Sequence, residues 1–390
     1  MISLLEQIKE KMKVYLDNAA TTPMDKEVIE AMIPVMENNF GNPSSVHAFG
    51  RSSRAIIEKA RKQVAKFINA APGEIFFTGG GTEADNMVIR CAVEDLGVDH
   101  IITSATEHHA VIDTAQIVSK RNDIKLSLVK HDEKGYIDID DLTRLLEENK
   151  DKKTLVSLMH ANNEIGNRLP LKKVAIICKQ YGAYFHSDTV QTMAHYAFNV
   201  RELGVDFITC SAHKFHGPKG VGFLFVNQDI QIKPIITGGA QERNVRAGTE
   251  NIIGIVGLAK AMEVAYRELE EHQKHVQGIK TYMIEQLEKT ISGVKFNGDP
   301  KGDSLYTVLN VQFPNSDMDE MLLYNFDIEG IAVSGGSACS SGSNVGSHVL
   351  KNIGVDMTKP SIRFSFSKYN TKEEIDYTIN VIKELFTVAA

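Results

Sequence analysis

No uninterrupted apolar stretch in these 390 residues approaches the roughly 20 that a membrane-spanning helix needs. Basic charge is in deficit: 43 Lys and Arg stand against 50 Asp and Glu, a formal net charge of −7, and no basic block stands out. A protein that binds nucleic acid by neutralising phosphates leans the other way, so neither a nucleic acid nor a membrane is expected as a partner. Internal repeats and low-complexity linkers are missing as well. With 43% hydrophobic and 24% charged residues, the composition is that of a folded chain and not of a disordered one. The opening MISLLEQIKEKMK alternates apolar and charged residues without a secretory apolar core. It reads as a short amphipathic segment of a cytoplasmic protein.

Cysteine is scarce. Cys91, Cys178, Cys210 and Cys339 have neither zinc-ligand nor CxxC spacing, which excludes a disulfide framework. Three lie in apolar runs (IRCAV, AIICK, FITCS), where a free thiol behaves as a small buried hydrophobe. Cys339 lies instead in SGGSACSSGSNVGS, a small, polar, flexible stretch that predicts exposure.

At about 150 residues per domain the length suggests two or three domains. From residue 74 to 226 short apolar strands alternate with amphipathic helices: EIFFT (74–78), HIITS (100–104), TLVSLMHA (154–161), AYFHSD (183–188), FITCSA (207–212) and GVGFLFV (220–226). This alternation marks βαβ units and a mostly parallel sheet, closed into a three-layer α/β sandwich by the handedness of its crossovers. After Thr249 the texture changes. Helical periodicity over about 251–290 gives way to TVLNVQF (307–313), the helix DEMLLYNF, GIAVSG, SIRFSFS (361–367) and the helix EEIDYTINVIKELF, as in a smaller α+β domain. The boundary is placed near 260.

Ligands of open α/β sheets bind beyond the carboxyl ends of the strands. Five such ends carry Gly79-Gly80-Gly81-Thr82-Glu83, Thr106-Glu107-His108-His109, Asn162-Asn163-Glu164, Ser187-Asp188-Thr189-Val190-Gln191 and Ser211-Ala212-His213-Lys214. The glycine run opens a helix, whose N–H groups and dipole suit a phosphate. It matches neither GxGxxG nor a P-loop, and alone it is more often a tight turn. A lone lysine at a strand end is ordinarily solvated, and Asp188 alone reads as a helix cap. His213 with His216, or His272 with His275, lacks a third ligand at matching spacing, so no intrinsic metal is expected. Taken together, a lysine, a buried carboxylate and an anion cradle on one sheet edge fit pyridoxal phosphate chemistry.

The blocks YLDNAATTP (15–23), FGNPSSVH (40–47), FTGGGTEADN (77–86), TEHHAV (106–111), MHANNEIG (159–166), HSDTVQ (186–191), SAHKFHGPKG (211–220), RAGTEN (246–251), SGGSACSSG (334–342) and SIRFS (361–365) resemble those of cysteine desulfurases, members of the class V aminotransferase superfamily of fold type I. The resemblance implies pyridoxal 5'-phosphate as cofactor and L-cysteine as substrate. It implies a large cofactor-binding domain over 17–260 and a small domain formed by 1–16 with 261–390, which carries the cysteine loop. Lys214 would form the Schiff base and shuttle the Cα proton, and His108 would stack on the ring as an acid–base. Asp188 would pair with the pyridinium and Gln191 bond the phenolic oxygen. Thr82, the Gly81 backbone, Ser211 and His213 would hold the phosphate, with Thr249 reaching the phosphate of the other subunit of a homodimer. Asn163 and Arg363 would bind the substrate, Arg363 by its carboxylate, and Asn42 would line the same pocket. Cys339 would take the sulfur as a persulfide, the product being L-alanine. The stretch SACSSGSNVGSHVLKNIG resembles that of the family's members with a long cysteine-bearing loop, which donate sulfur to iron–sulfur scaffolds and tRNA-modification relays, and both stay open as acceptors.

Selenocysteine lyase and aminotransferase-like activities belong to the same cofactor class, but a transaminase has no need of a cysteine on a mobile loop. A non-catalytic regulator would be expected to have lost Lys214 or Cys339. An iron–sulfur cluster could be held only through Cys339 shared with a partner, since no other cysteine spacing supplies a site.

Overall fold

The computed structural model describes residues 11–315, 321–335 and 346–387; the amphipathic start and Cys339 fall outside them. Thr22–Asn162 with Arg168–Leu269 make one unit. Met1–Thr21, Asn163–Asn167 and Glu270–Ala390 make a smaller one.

Strand β1 (Val14–Tyr15) belongs to the smaller unit. The larger unit holds β2 (Ile75–Thr78), β3 (His100–Ser104), β4 (Lys125–Val129), β5 (Thr154–Ser157), β6 (Tyr184–Asp188), β7 (Phe207–Ser211) and β8 (Gly222–Val226). They form one sheet in the order β2-β8-β7-β6-β5-β3-β4, in which β8 alone runs antiparallel to its neighbours. The period-two alternation of a strand sends adjacent apolar residues to opposite faces. Phe77 joins a core with Ile57 and Val64 of the helix Ala48–Phe67 and with Leu258 of the helix Ile252–Arg267. Phe76 joins another with Met87 and Val88 of the helix Gly81–Glu94 and Val111 of the helix His109–Asn122. Both faces are therefore covered, which is why these strands read as unbroken apolar runs. The result is the expected three-layer α/β sandwich.

The smaller unit adds β9 (Lys295–Asn297), β10 (Val308–Gln312), β11 (Ile331–Ala332) and β12 (Ser361–Ser365). β10 lies between β12 and β9, antiparallel to both, and β1 pairs in parallel with β11. The helices Leu269–Thr290 and Lys372–Thr387 complete it. Among the described residues, no helix is long and apolar enough to cross a membrane.

The division differs from the sequence expectation in three places. The division falls after Leu269 instead of near 260, because Ile255, Leu258, Ala259, Met262 and Ala265 all belong to the larger unit's core. Residues Asp17–Thr21 and the insert Asn163–Asn167 go to the smaller unit, the insert through backbone bonds such as Leu305 N–H to Gly166 O at 2.7 Å.

Strand β2 is a sheet edge, and an edge leaves backbone groups unpaired. Here a buried ion pair takes them. Arg61 donates from Nη1 to Ile75 O at 2.8 Å and makes a two-pronged pair with Glu242 at 2.7 and 2.8 Å, while Glu242 Oε2 accepts the Phe77 N–H at 2.9 Å. The two side chains are 3% and 2% exposed. Glu242 sits at φ 45°, in the left-handed region, a conformation costly for a residue with a side chain. Removing one partner strands a buried charge, so Glu242→Ala is expected to cost about 3–5 kcal/mol in urea unfolding. A loss under about 1 kcal/mol would show that the edge does not depend on the pair.

Candidate active site

Five loops at the carboxyl ends of β2, β3, β5, β6 and β7 bring the site together, as far as the larger unit is concerned. After β2 the chain turns at Gly80, φ 150°, and enters the helix Gly81–Glu94 with no side-chain cap. A Cβ on Gly81 would stand 2.4 Å from Val190 Cγ2, and one on Gly80 would stand 3.5 Å from Ser211 Oγ. A Cβ on Gly222 of β8 would meet Cys210 O at 2.0 Å and Gly80 Cα at 3.0 Å. Three glycines thus let β8, the β2 loop and Ser211 close into a cradle, with helix N–H groups pointing out of it. Thr82 is exposed at the rim. Thr249, also exposed, faces a cavity of about 110 Å3 that Thr78, Gly79 and Asn251 line as well.

Lys214 ends the tight turn Ala212–Lys214 after β7. That turn is locked by Ala212 O, which accepts Phe215 N–H at 3.1 Å and Gly217 N–H at 2.9 Å. Thr22 straps it from outside: its N–H and Oγ1 reach His213 O, and its Oγ1 accepts the His216 N–H at 2.8 Å. His195 Nε2 lies 3.1 Å from Lys214 O. His213 is half-buried, and burial, reinforced by the charges of Lys214 and Lys219, pulls its ring down to about 4. It is therefore neutral at pH 7.

Asp188 closes β6, buried, with Oδ1 accepting the Val190 N–H at 2.8 Å. No hydrogen bond to Oδ2 occurs among the described residues. Burial first, then the neighbouring Asp85 carboxylate, push its pKa up, and His108 opposes them. Gln191 is buried in the next turn. His108 caps the helix His109–Asn122, its Nδ1 accepting the Ala110 N–H at 3.1 Å. Accepting at Nδ1 puts the neutral ring's proton on Nε2.

Sequence reasoning missed what surrounds Asp188. Asp85 is fully buried, bonded to Thr209 Oγ1 at 2.8 Å and 3.5 Å from His186 Nε2; burial raises it to about 7. Glu107, whose Oε1 accepts the Met159 N–H at 2.8 Å, is raised well above the carboxylate range by burial. His186 is held down to about 4 by burial. The available signal was an aspartate inside the apolar helix stripe Ala84, Met87, Val88.

Two of the proposed substrate ligands belong to the smaller unit. Arg363 on β12 is 1% exposed and donates from Nη1 to Asn163 O at 3.0 Å and from Nη2 to Asp17 Oδ1 at 2.9 Å. Asp17, another residue missed in the sequence, supplies its countercharge. Asn42, in the larger unit, is exposed, and its Oδ1 accepts the Ser44 N–H at 2.9 Å. Cys339 lies outside the described residues.

An anion cradle and a desolvated carboxylate short of a cation, with a lysine on the adjoining strand end, suit a ligand that carries a phosphate and a protonated ring nitrogen. The cradle glycines and the open Oδ2 of Asp188 fit pyridoxal phosphate.

The family model described as aminotransferase class-V matches residues 14–378. The chain is 45% identical over 379 residues to a cysteine desulfurase IscS of Dictyoglomus turgidum, covering 96% of this chain and 95% of that one. Among solved structures it is similar to a NifS-like protein, with TM-score 0.88 and 38% identity over 97% of this chain and all of that one. Another, described as SspA in complex with cysteine, gives TM-score 0.78 and 30% identity over 92% of this chain and all of that one.

Asp85 gives a pH signature. An aspartate in an unfolded chain loses its proton near 4, whereas in the fold Asp85 keeps it to about 7. The folded state then holds more protons between these values, so stability falls as pH rises through that window. Asp85→Asn removes the burden. Freed of cofactor, the variant is expected to melt above the native protein at about pH 8, and the gap to close toward about pH 5. A gap independent of pH would show Asp85 ionised throughout.

Proposed function

Since the chain belongs to the class-V aminotransferase family and is a cysteine desulfurase, we propose that it uses pyridoxal phosphate to move the sulfur of L-cysteine onto Cys339, leaving L-alanine. The observation that most supports this reading is the buried Asp188, its charge only partly met, at the end of β6 in the sheet whose neighbouring ends carry Lys214 and the Gly80–Gly81 cradle. When bound, the cofactor supplies a sink for the electrons left when the substrate Cα proton departs.

The residues divide the work. Gly81 N–H, Thr82, Ser211 and His213 hold the phosphate, His213 as a neutral donor. Asp188 keeps a proton on the ring nitrogen, Gln191 bonds the phenolic oxygen, and His108 stacks on the ring. Lys214 Nζ anchors the cofactor, then takes the proton from Cα. Arg363 and Asn163 fix the substrate carboxylate, with Asn42 assigned to the same pocket. His108 is assigned the acid–base role toward the reacting thiols. The Cys339 thiolate attacks the substrate sulfur: its S–S bond forms as the substrate's Cβ–S bond breaks. The electron pair of that bond remains with the carbon, which gains a proton and becomes the methyl of alanine, while Lys214 returns a proton to Cα. The persulfide passes to a thiolate of an acceptor, an iron–sulfur scaffold or a tRNA-thiolation protein. Cys91, Cys178 and Cys210 are buried free thiols, as suits the reducing cytoplasm.

We assign the working form to a homodimer. Ile33, Met36, Phe40, Val46 and Phe49 are exposed apolar side chains, with Phe40 78% and Val46 89% exposed and the Phe40 and Phe49 rings 5.2 Å apart. Bare apolar surface of this kind favours a protein partner. In this assembly Thr249 serves the phosphate of the partner subunit.

Two experiments test the reading. Cys339→Ala is expected to keep the visible absorbance of bound cofactor while alanine formation from L-cysteine falls by more than ~100-fold; native turnover would overturn it, and Lys214→Ala should let the cofactor dialyse away. By light scattering the native protein should have twice the monomer mass, and Val46→Asp with Phe49→Asp should halve it. A monomeric native protein would refute the dimer.

A further inference from the structure

The carboxylate that neutralises Arg363 has a second bond. Asp17 Oδ1, which accepts from Arg363 Nη2 at 2.9 Å, also accepts from Ser334 Oγ at 2.8 Å. Ser334 is paired to Arg363 along the backbone in both directions, Arg363 N–H to Ser334 O at 2.7 Å and Ser334 N–H to Arg363 O at 3.2 Å. In sequence Ser334 precedes Cys339 by five residues.

The other side of that segment is fastened by a matching device. Ser347, eight residues beyond Cys339, donates its hydroxyl to Glu164 Oε2 and accepts the Leu350 N–H at 3.0 Å, capping the helix His348–Asn352. Ser347 and Glu164 are both buried. Glu164 follows Asn163, whose carbonyl takes Arg363 Nη1, and the Glu164 carbonyl accepts Asn310 Nδ2 at 3.2 Å. Asn310 lies opposite Arg363 in the β10–β12 register. One arginine is therefore the common neighbour of both fastenings.

We propose that Asp17 and Glu164 are positioning residues, which tie the two ends of the Cys339-bearing segment to the strand and turn that hold Arg363. The proposal rests on the reading of Arg363 as the carboxylate clamp and Cys339 as the sulfur acceptor. A thiolate on a glycine- and serine-rich tether reacts at a rate set by its effective concentration at the target, which falls steeply when the tether's ends are not fixed near it. Hydroxyl-to-carboxylate bonds are charge-assisted and stronger than neutral ones. Fixing both ends to the platform that grips the substrate carboxylate lets binding and sulfur transfer share one reference point.

The test uses the holoenzyme with Asp17→Asn, Ser334→Ala, Glu164→Gln and Ser347→Ala. L-Cysteine binding is read from the cofactor's visible spectrum, and persulfide on Cys339 by alkylation in a single turnover. Each variant is expected to bind cysteine within about threefold of native while persulfide forms roughly tenfold more slowly. Asp17→Asn combined with Ser334→Ala should be no slower than either alone, whereas Asp17→Asn with Ser347→Ala should multiply the losses. Proportional loss of binding and transfer in Asp17→Asn, with Ser334→Ala silent, would overturn the proposal and leave Asp17 as a countercharge only. Multiplying losses in the first pair would overturn it as well. If Asp17→Asn does not fold, the two serine variants decide alone. Arg363→Lys is a separate arm: unchanged cysteine binding there would refute the carboxylate clamp without touching the pairing of Asp17 with Ser334.

Discussion

A carboxylate buried at the end of a central strand sets the terms for the larger unit. Asp188 is cut off from water and faces Asp85, so it can stay charged only with a cation near it. A protonated ring nitrogen of a bound ligand would supply that charge. Around it the fold keeps other charges down. Asp85 and Glu107 are raised by burial, His186 and His195 are lowered by it, and each change favours the neutral form. The pocket thereby holds several titratable groups while concentrating its negative charge on one.

The anion end depends on a different economy. The cradle stands at the end of β2, an edge strand, and an edge that breathed would carry Gly79–Thr82 with it. The pair Arg61–Glu242 fixes the Ile75 carbonyl and the Phe77 N–H from the open side, while Gly222 admits β8 close to Gly80 from the other. Neither feature touches a ligand. Both decide whether the helix N–H groups keep their aim.

The central strands and the residues at their carboxyl ends were legible, because strands covered on both faces are continuous apolar runs bounded by polar turns. Five of the six lie within two residues of their observed limits at both ends. TLVSLMHA ran on too far: β5 stops at Ser157, and Leu158, Met159 and Ala161 stay apolar because they are buried in the turn. The half-exposed β4, with Lys125 and Leu128 at the surface, lacked that signal and went unread. So did the helix Lys26–Asn38, which carries Pro34 inside it. Within the site, motif blocks pointed to Lys214, Asp188 and Arg363. The blocks also contain Asp17 and Asp85 but give them no role, because their contacts lie with partners 346 and 124 residues away. The boundary near 260 failed for a related reason: periodicity shows that a helix buries one face but not which core receives it.

Three helix starts show how one local rule is put to three uses. A helix begins with N–H groups that need an acceptor. At Gly80 no side chain provides one, and the unmet donors suit a phosphate. At His108 the cap is the imidazole Nδ1, so capping also selects the tautomer and leaves the neutral ring's proton on Nε2. At Ser347 the hydroxyl oxygen accepts from Leu350 while its hydrogen goes to Glu164, so the same cap serves as a tie. A glycine, a histidine and a serine are ordinary choices at a helix start or near one. What distinguishes them is the second valence each leaves over: an open donor set, a placed proton, and a hydroxyl hydrogen with somewhere to go. Each remainder is what the proposed chemistry draws on, and each depends on the element that ends in it being held in place.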